Sequence, residues 1–350
     1  NLMIKKKIKL NNYNHLSNSV VVSPMCQYSS IKGSPSIWHY KHLGNLIASG
    51  ASMLILESTA VSKIGRITNK DLCLYNNNHE KNLKKLIKFL KKINDIPILL
   101  QISHSGRKGS CNIPWVKSGK PLKKNSWKTI SSSNLKRDIS CQSPKKANIK
   151  DIKGIISAFE DTTTRASRAG FDGVEIHMAH GYLLHQFLSP ICNTRKDQYG
   201  GSLINRIRLS LEVTSRVKKK LPKEKILGIR LTGSDHLENG IDIDDSVYLA
   251  KKLKLIGANY LCISSGGIIK KTKLNYKKEA FRLQMTKKIK KKLNNIVIGT
   301  TGKLENLKSL KKLDLAFIGR PFLKNPHWLY ESSSAKIIPK QYEKAFNKKN

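Results

Sequence analysis

The apolar and polar positions along this 350-residue chain fall into two alternating kinds of segment. Short apolar runs, mostly without in-and-out alternation, occur at Val20–Ser23, Met53–Glu57, Ile98–Ile102, Gly173–His177, Ile226–Leu231, Tyr260–Ile263, Asn295–Gly299 and Leu313–Ile318. Continuous runs of this kind are expected of strands buried on both faces of a parallel sheet. Between them lie stretches with helical spacing. Leu83, Leu86, Ile87, Leu90 and Ile93 share one face of Leu83–Ile93, and Ile155–Ala169, Ile204–Lys220, Ser246–Leu255 and Glu279–Leu293 read the same way. The alternation predicts an α/β fold, a (β/α)8 TIM barrel forming a single domain over 1–350. An open doubly wound sheet would carry a G-x-G-x-x-G turn after its first strand, and this chain has none there.

Two stretches fit neither period. Residues 112–150 are polar, rich in Ser and Lys, and carry Pro114, Pro121 and Pro144. They read as a long loop after the third strand, a lid over the barrel mouth. Residues 332–350 form a Lys-rich C-terminal tail that composition alone assigns to disorder.

Charge changes the picture less than its size suggests. Lys and Arg total 66 against 23 Asp and Glu, a net +43. Such a balance suits a nucleic-acid binder. Most of the cations are Lys, however, and they are spread over the whole chain, with Asn and Ile also abundant. Those three residues share A/T-rich codons, so biased base composition accounts for the excess without a ligand. The six cysteines (Cys26, Cys73, Cys111, Cys141, Cys192, Cys262) form no C-x-x-C pair and no zinc spacing. That argues against a disulfide scaffold and a structural zinc site. With no long apolar span and no signal-peptide pattern, the expectation is a cytoplasmic chain without a membrane anchor.

In such a barrel, chemistry sits at the C-terminal ends of the strands. The first strand delivers Pro24-Met25-Cys26-Gln27-Tyr28, and the second ends near Ala60. The third carries Gln101, then His104 and Arg107-Lys108; the fourth gives His177, His180 and Tyr182. Arg230 ends the fifth, Ser264-Ser265-Gly266-Gly267 follow the sixth, Gly302 follows the seventh, and Gly319-Arg320 follow the eighth. The last turns and Arg320 suit a phosphate. His177 and His180 have the spacing to donate two N–H groups to one anionic oxygen. They also have the donor types for a metal, which would want a third ligand; no Asp or Glu is poised nearby except Glu175. Tyr182 offers a phenol proton. Cys26 reads either as a small buried apolar group or as a thiol nucleophile with His177 or His180 as its base.

Taken together these segments resemble the Old Yellow Enzyme family of NADH:flavin oxidoreductases. The resemblance is carried by Ser23-Pro24-Met25-Cys26-Gln27-Tyr28, by Gln101 with His104-Ser105-Gly106-Arg107-Lys108, and by His177-Met178-Ala179-His180-Gly181-Tyr182. Phe187-Leu188-Ser189-Pro190, Asn193, Arg195, Asp197, Tyr199-Gly200-Gly201-Ser202 and Phe317-Ile318-Gly319-Arg320-Pro321 add to it. The Cys after Pro-Met resembles the bacterial thermophilic-like branch, and Trp38-His39-Tyr40 and Pro114-Trp115 with the long loop after them resemble its xenobiotic-reductase members. The resemblance implies an FMN-dependent ene reductase with NAD(P)H as co-substrate, acting on small-molecule enones and enals. It implies that Ser23, Pro24, Met25, Cys26, Ala60, Gln101, Arg230, Gly302, Gly319 and Arg320 bind FMN. His177, His180, Tyr28, Lys108 and Lys344 would face substrate, with Tyr182, His177, His180 and Cys26 as the catalytic set and no metal. The branch implies a homodimer or homotetramer in which the residue at Lys344, usually an Arg, reaches the neighbouring subunit's site. The competing readings are an FMN barrel acting on RNA, similar to a dihydrouridine synthase, and a non-catalytic flavoprotein remnant.

The chain departs from the family pattern at Ser17-Asn18-Ser19, at Ser105 and Gly109, at the shortened segments around Lys303-Leu304 and before Asp314, and at Lys344.

Overall fold

The structure, a computed structural model, describes residues 7–12, 14–117, 119–269, 281–304, 314–331 and 337–346. Eight parallel strands close into a barrel in chain order: β1 (Val20–Val22), β2 (Met53–Ala60), β3 (Ile98–Ser103), β4 (Gly173–Met178), β5 (Ile226–Thr232), β6 (Tyr260–Ser264), β7 (Val297–Thr301) and β8 (Leu315–Ile318). Helices cover the outside: α1 (Ile37–Ile47), α2 (Asn77–Ile93), α3 (Ile149–Ala169), α4 (Leu203–Lys220), α5 (Ile243–Ile256), α6 (Leu283–Lys291) and α7 (Arg320–Lys324).

The predicted strands are all present, with shifted ends. β2 runs on to Ala60, and β7 begins and ends two residues later than the apolar run suggests. Strand limits follow the partner's register, which a single run of apolar residues does not encode. The helices α2 and α3 begin earlier than their apolar stripes because polar caps extend them. Asn76 accepts from the His79 N–H, and Asn148 and Asp151 form a reciprocal capping box. Helix α1 carries Gly44 in its interior and no clear apolar stripe, and the periodicity did not predict it. It is fixed by burial of His39, Leu43, Leu46 and Ile47.

Two apolar layers result. The larger lies between strands and helices. The smaller fills the barrel and joins Val21, Met53, Ile55, Leu99, Ile226, Tyr260, Cys262, Leu315 and Phe317 to Leu10 and Leu16. These last two belong to an N-terminal segment whose hairpin, Ile8–Lys9 against His15–Leu16, plugs the end of the barrel opposite the rim. At the altered Ser17-Asn18-Ser19, Asn18 is buried and bonds Gly50 O and Val20 N, so it shapes the approach to β1.

The excursion after β3 is partly ordered on the barrel. It holds a short helix, Pro114–Lys117, and a parallel pair, Ile130–Ser131 with Lys145–Lys146. Arg195 donates from Nη1 to Ser132 O at 3.0 Å and Ala147 O at 2.6 Å, tying both arms of the excursion to the barrel.

Over 337–346 the tail is docked, against what its composition alone suggests. Tyr342 packs on His327, and Phe346 packs on Tyr330 at 5.5 Å between ring centroids. Aromatic anchoring outweighs a Lys-rich composition here. Of the two shortened segments, Lys303-Leu304 is described and Leu304 is buried. The turn before Asp314 lies outside the described residues.

Leu16→Ala should lower stability by about 2–5 kcal/mol, because it empties a fully buried position of the plug. An unchanged thermal melting curve would show that the plug is dispensable. Stability should also be acid-sensitive. Burial lowers His104 to about 4, so between pH 6.5 and 4 the unfolded chain binds a proton that the folded chain refuses. The melting temperature should therefore fall as pH drops through that window, and His104→Gln should flatten the fall.

Candidate active site

The segment leaving β1 forms one wall of the rim. Ser23 is buried, and Pro24, Met25, Cys26 and Tyr28 are half-buried. A Cβ on Gly319 would stand 3.3 Å from Met25 Sδ, so the turn after β8 lies directly against this wall. Gln27 N donates to the buried Glu57 carboxylate at 3.0 Å, and Tyr28 follows in the left-handed region with φ +49°. Trp115 of the excursion meets the Tyr28 ring edge-on at 6.1 Å. Ala60, at the end of β2, is buried.

Cys26 is not poised as a nucleophile. Burial, then the Glu57 and Asp71 carboxylates, push its thiol well above the usual range. Its polar neighbours are the Tyr28 phenol and the Ser58 backbone. A neutral thiol without an imidazole partner removes the physical basis of a thiol hydrolase.

Register places the floor of the site. Gln101 pairs with Glu175 across β3 and β4, and His177 pairs with Arg230 across β4 and β5. Gln101 Nε2 donates to Glu175 at 2.7 Å, and the Tyr260 phenol donates to the other carboxylate oxygen at 2.9 Å. That bond fixes the Gln101 amide and leaves its Oε1 as an acceptor without a partner among the described residues. Arg230 Nη1 donates to Ser23 Oγ at 3.1 Å, while Arg230 Nε is buried without a hydrogen-bond partner among the described residues. A buried guanidinium N–H of this kind calls for an anionic or polar ligand.

The turn after β4 carries the histidines. Ala179 N–H donates to His177 Nδ1 at 3.1 Å, so the neutral ring bears its proton on Nε2. That nitrogen lies 3.2 Å from His180 Nδ1, and the Tyr182 ring meets His177 edge-on at 4.8 Å. Burial, then Arg230, hold both imidazoles well below the ordinary range, with Lys108 adding to the effect. Both are therefore neutral at pH 7. Burial pushes the Tyr182 phenol well above its usual range, so it stays protonated.

His180 and Gly181 both have positive φ, +58° and +70°. A Cβ at Gly181 would stand 2.1 Å from Gly267 O, so only glycine lets the β4 and β6 turns approach. Lys108 clips the two turns together, donating to His180 O at 2.7 Å and Gly267 O at 3.3 Å. Burial lowers its ammonium to about 7. Lys108 thus supports the histidine turn from behind while its Nζ lies 5.1 Å from the centre of the Tyr182 ring.

Lys344 lies elsewhere in the chain. It is exposed on the Glu343–Phe346 helix, and Phe346 packs on Tyr330, which lies against Gly50 in the loop entering β2. Within one chain that is the end of the barrel away from the rim. The altered Ser105 and Gly109 form a single packing change. Ser105 Oγ donates to Arg66 O at 2.7 Å, and a Cβ on residue 109 would stand 2.6 Å from both of those oxygens.

Several site residues escaped the sequence reading. Arg282 donates twice to Ser265, and its Nη1 would stand 2.6 Å from a Cβ on Gly302, itself at φ +108°. It joins Gly302 and Gly319 at the corner read as a phosphate site, whereas Arg320 is exposed. The buried pair His185 and Asp235, 2.8 Å apart, holds the Gly181 N–H through His185 Nδ1. The available signal was arginine itself. In a chain whose cations are mostly Lys, the buried Arg107, Arg195, Arg230 and Arg282 mark places that need a planar fork. The orphaned Arg230 N–H, the glycine turns and the arginine beside them suit a phosphate-bearing anionic cofactor such as FMN.

Comparison with known proteins agrees. A family model described as NADH:flavin oxidoreductase / NADH oxidase matches residues 5–336. An NADPH dehydrogenase of Clostridium acetobutylicum is 35% identical over 343 residues, covering 95% of this chain and 96% of that one. An NADPH dehydrogenase of a Geobacillus species is 31% identical, covering 91% and 90%. Among solved structures, morphinone reductase superposes with a TM-score of 0.74 at 26% identity, covering 91% of this chain and 86% of that one. A 2-naphthoyl-CoA reductase shares the fold, with a TM-score of 0.84 at 20% identity; the match covers 96% of this chain and 53% of that longer chain. The chain belongs to the NADH:flavin oxidoreductase family, that of Old Yellow Enzyme, and is an FMN-dependent oxidoreductase with NAD(P)H as its electron donor.

Proposed function

We propose that the chain is an ene reductase that saturates the activated C=C bond of α,β-unsaturated carbonyl compounds. The observation that carries this reading is the pair of neutral imidazoles, 3.2 Å apart at the rim, with the Tyr182 ring against one of them. FMN, when bound, would supply the hydride chemistry between NAD(P)H and the β-carbon of the alkene.

His177 and His180 hold the substrate's carbonyl oxygen. His177 donates through Nε2, because the Ala179 N–H occupies its other nitrogen. Hydrogen bonds to that oxygen draw electron density from the alkene and stabilise the enolate-like charge that develops on it. Neutral donors serve this role at pH 7 without a competing imidazolium equilibrium. Tyr182 delivers a proton to the α-carbon, and its protonated state at neutral pH suits a general acid. Tyr28 is a second donor beside the carbonyl, and Lys108 keeps the histidine turn in place. Ser23, Pro24, Met25, Cys26, Ala60, Gln101, Arg230, Gly302, Gly319 and Arg320 hold FMN, with Arg282 completing the phosphate corner. Lys344 would reach substrate only from a neighbouring subunit of a homodimer or homotetramer.

His177→Ala should slow alkene reduction by about 100-fold or more while slowing flavin reduction by NADPH far less. Equal slowing of both half-reactions in stopped-flow traces would sink the carbonyl-grip role. Tyr182→Phe should slow enone reduction by about 100-fold or more but leave quinone reduction near wild type, since a quinone needs no proton on carbon. The wild-type alkene step should show no ionisation near pH 6.5, the ordinary histidine value of about 6.5. A clear inflection there in the pH–rate profile would mean that one imidazole works as a cation.

A further inference from the structure

The two histidines, as they stand, do not present two donors. His177 carries its proton on Nε2, and that N–H faces His180 Nδ1 at 3.2 Å. His180 then accepts on Nδ1 and carries its own proton on Nε2, which lies 2.6 Å from Ser264 Oγ. A carbonyl or phenolate oxygen seated between the rings needs the other tautomer of His180, with the proton on Nδ1. In that tautomer Nε2 becomes an acceptor, and whatever faces it must donate.

We propose that Ser264, the last residue of β6, is the positioning residue that sets the tautomer of His180. The proposal rests on the carbonyl-grip reading of the histidine pair. A hydroxyl is the side-chain group suited to this position, because it rotates between accepting and donating. Without ligand, Ser264 Oγ accepts from Nε2–H. With an oxygen between the rings, Ser264 O–H donates to Nε2, and His180 points Nδ1–H at the ligand beside His177 Nε2–H. The change conserves protons: His180 gives one up at Nε2 and takes one at Nδ1. The half-buried ring makes that exchange with solvent before ligand closes the site.

The surroundings hold Ser264 to this task. It is fully buried, and its backbone oxygen accepts from Gly233 N at 2.8 Å. His180 is fixed on the other side by Lys108 on its carbonyl oxygen. With both backbones held, the 2.6 Å contact persists and only the hydrogen moves.

The test uses FMN-loaded protein with 15N-labelled histidine, titrated with 4-cyanophenol and followed by long-range 1H–15N correlation and by flavin absorbance. In the wild type, His180 should pass from Nε2–H to Nδ1–H on saturation. Ser264→Ala should bind the phenol about tenfold more weakly, as expected for one lost hydrogen bond, and Ser264→Thr should restore binding. Bound-flavin absorbance and melting temperature check that each variant is folded, and the wild-type titration needs no variant. A wild-type His180 that keeps Nε2–H in the complex overturns the proposal, as does a Ser264→Ala protein with wild-type affinity and tautomer. A phenol that binds without perturbing either ring removes the carbonyl grip itself, and the role of Ser264 with it.

Discussion

The candidate site depends on how closely two rim turns approach. The β4 turn brings His180 and Gly181 in left-handed conformations, and Gly267 O of the β6 turn occupies the space of a Gly181 side chain. That approach sets the spacing of the histidine rings and puts Ser264 against His180. The turns are held from two sides. Lys108 ties their carbonyl oxygens, and the buried Asp235–His185 pair holds the Gly181 N–H. Strained backbone at a functional site persists when its surroundings over-determine it, and here three side chains do so.

Electrostatics follow from the same packing. Arg230 stands opposite His177 in the register, and Arg282 and Lys108 approach from neighbouring turns. Burial, then Arg230, with Lys108, keep both imidazoles neutral, and Arg282 adds to the effect on His180. The carboxylates lie on the other wall, where burial, then Glu57 and Asp71, keep the Cys26 thiol protonated. One rim thus has a cationic side suited to an anionic cofactor and a developing oxyanion, and an acidic side that silences a nucleophile. A few buried groups make this division.

Much of this was legible in the sequence because a parallel barrel leaves a strong trace. Strands buried on both faces read as unbroken apolar runs, and their C-terminal ends locate the rim without further information. The residues that resemble a flavoprotein family sit at those ends. Arg282, His185 and Asp235 were not legible, because each lies within or just beyond a helical or loop segment whose rim contacts depend on the path of the chain. The N-terminal plug was missed for a related reason: two-residue strands have no period. The Lys-rich tail failed as a disorder signal because two aromatic rings outweighed its composition.

The sequence by itself determined the barrel, the order of its strands, and the kinds of group that reach the rim. These are local properties, written in apolar runs and in the residues that follow them. Only the tertiary structure decided which nitrogen of His177 carries a proton, what faces His180, and which way Lys108 points. Those outcomes turn on contacts of about 3 Å between segments far apart in the chain, as with His180 and Ser264. A hydrogen bond depends on distance and direction, and no pattern along the chain contains either.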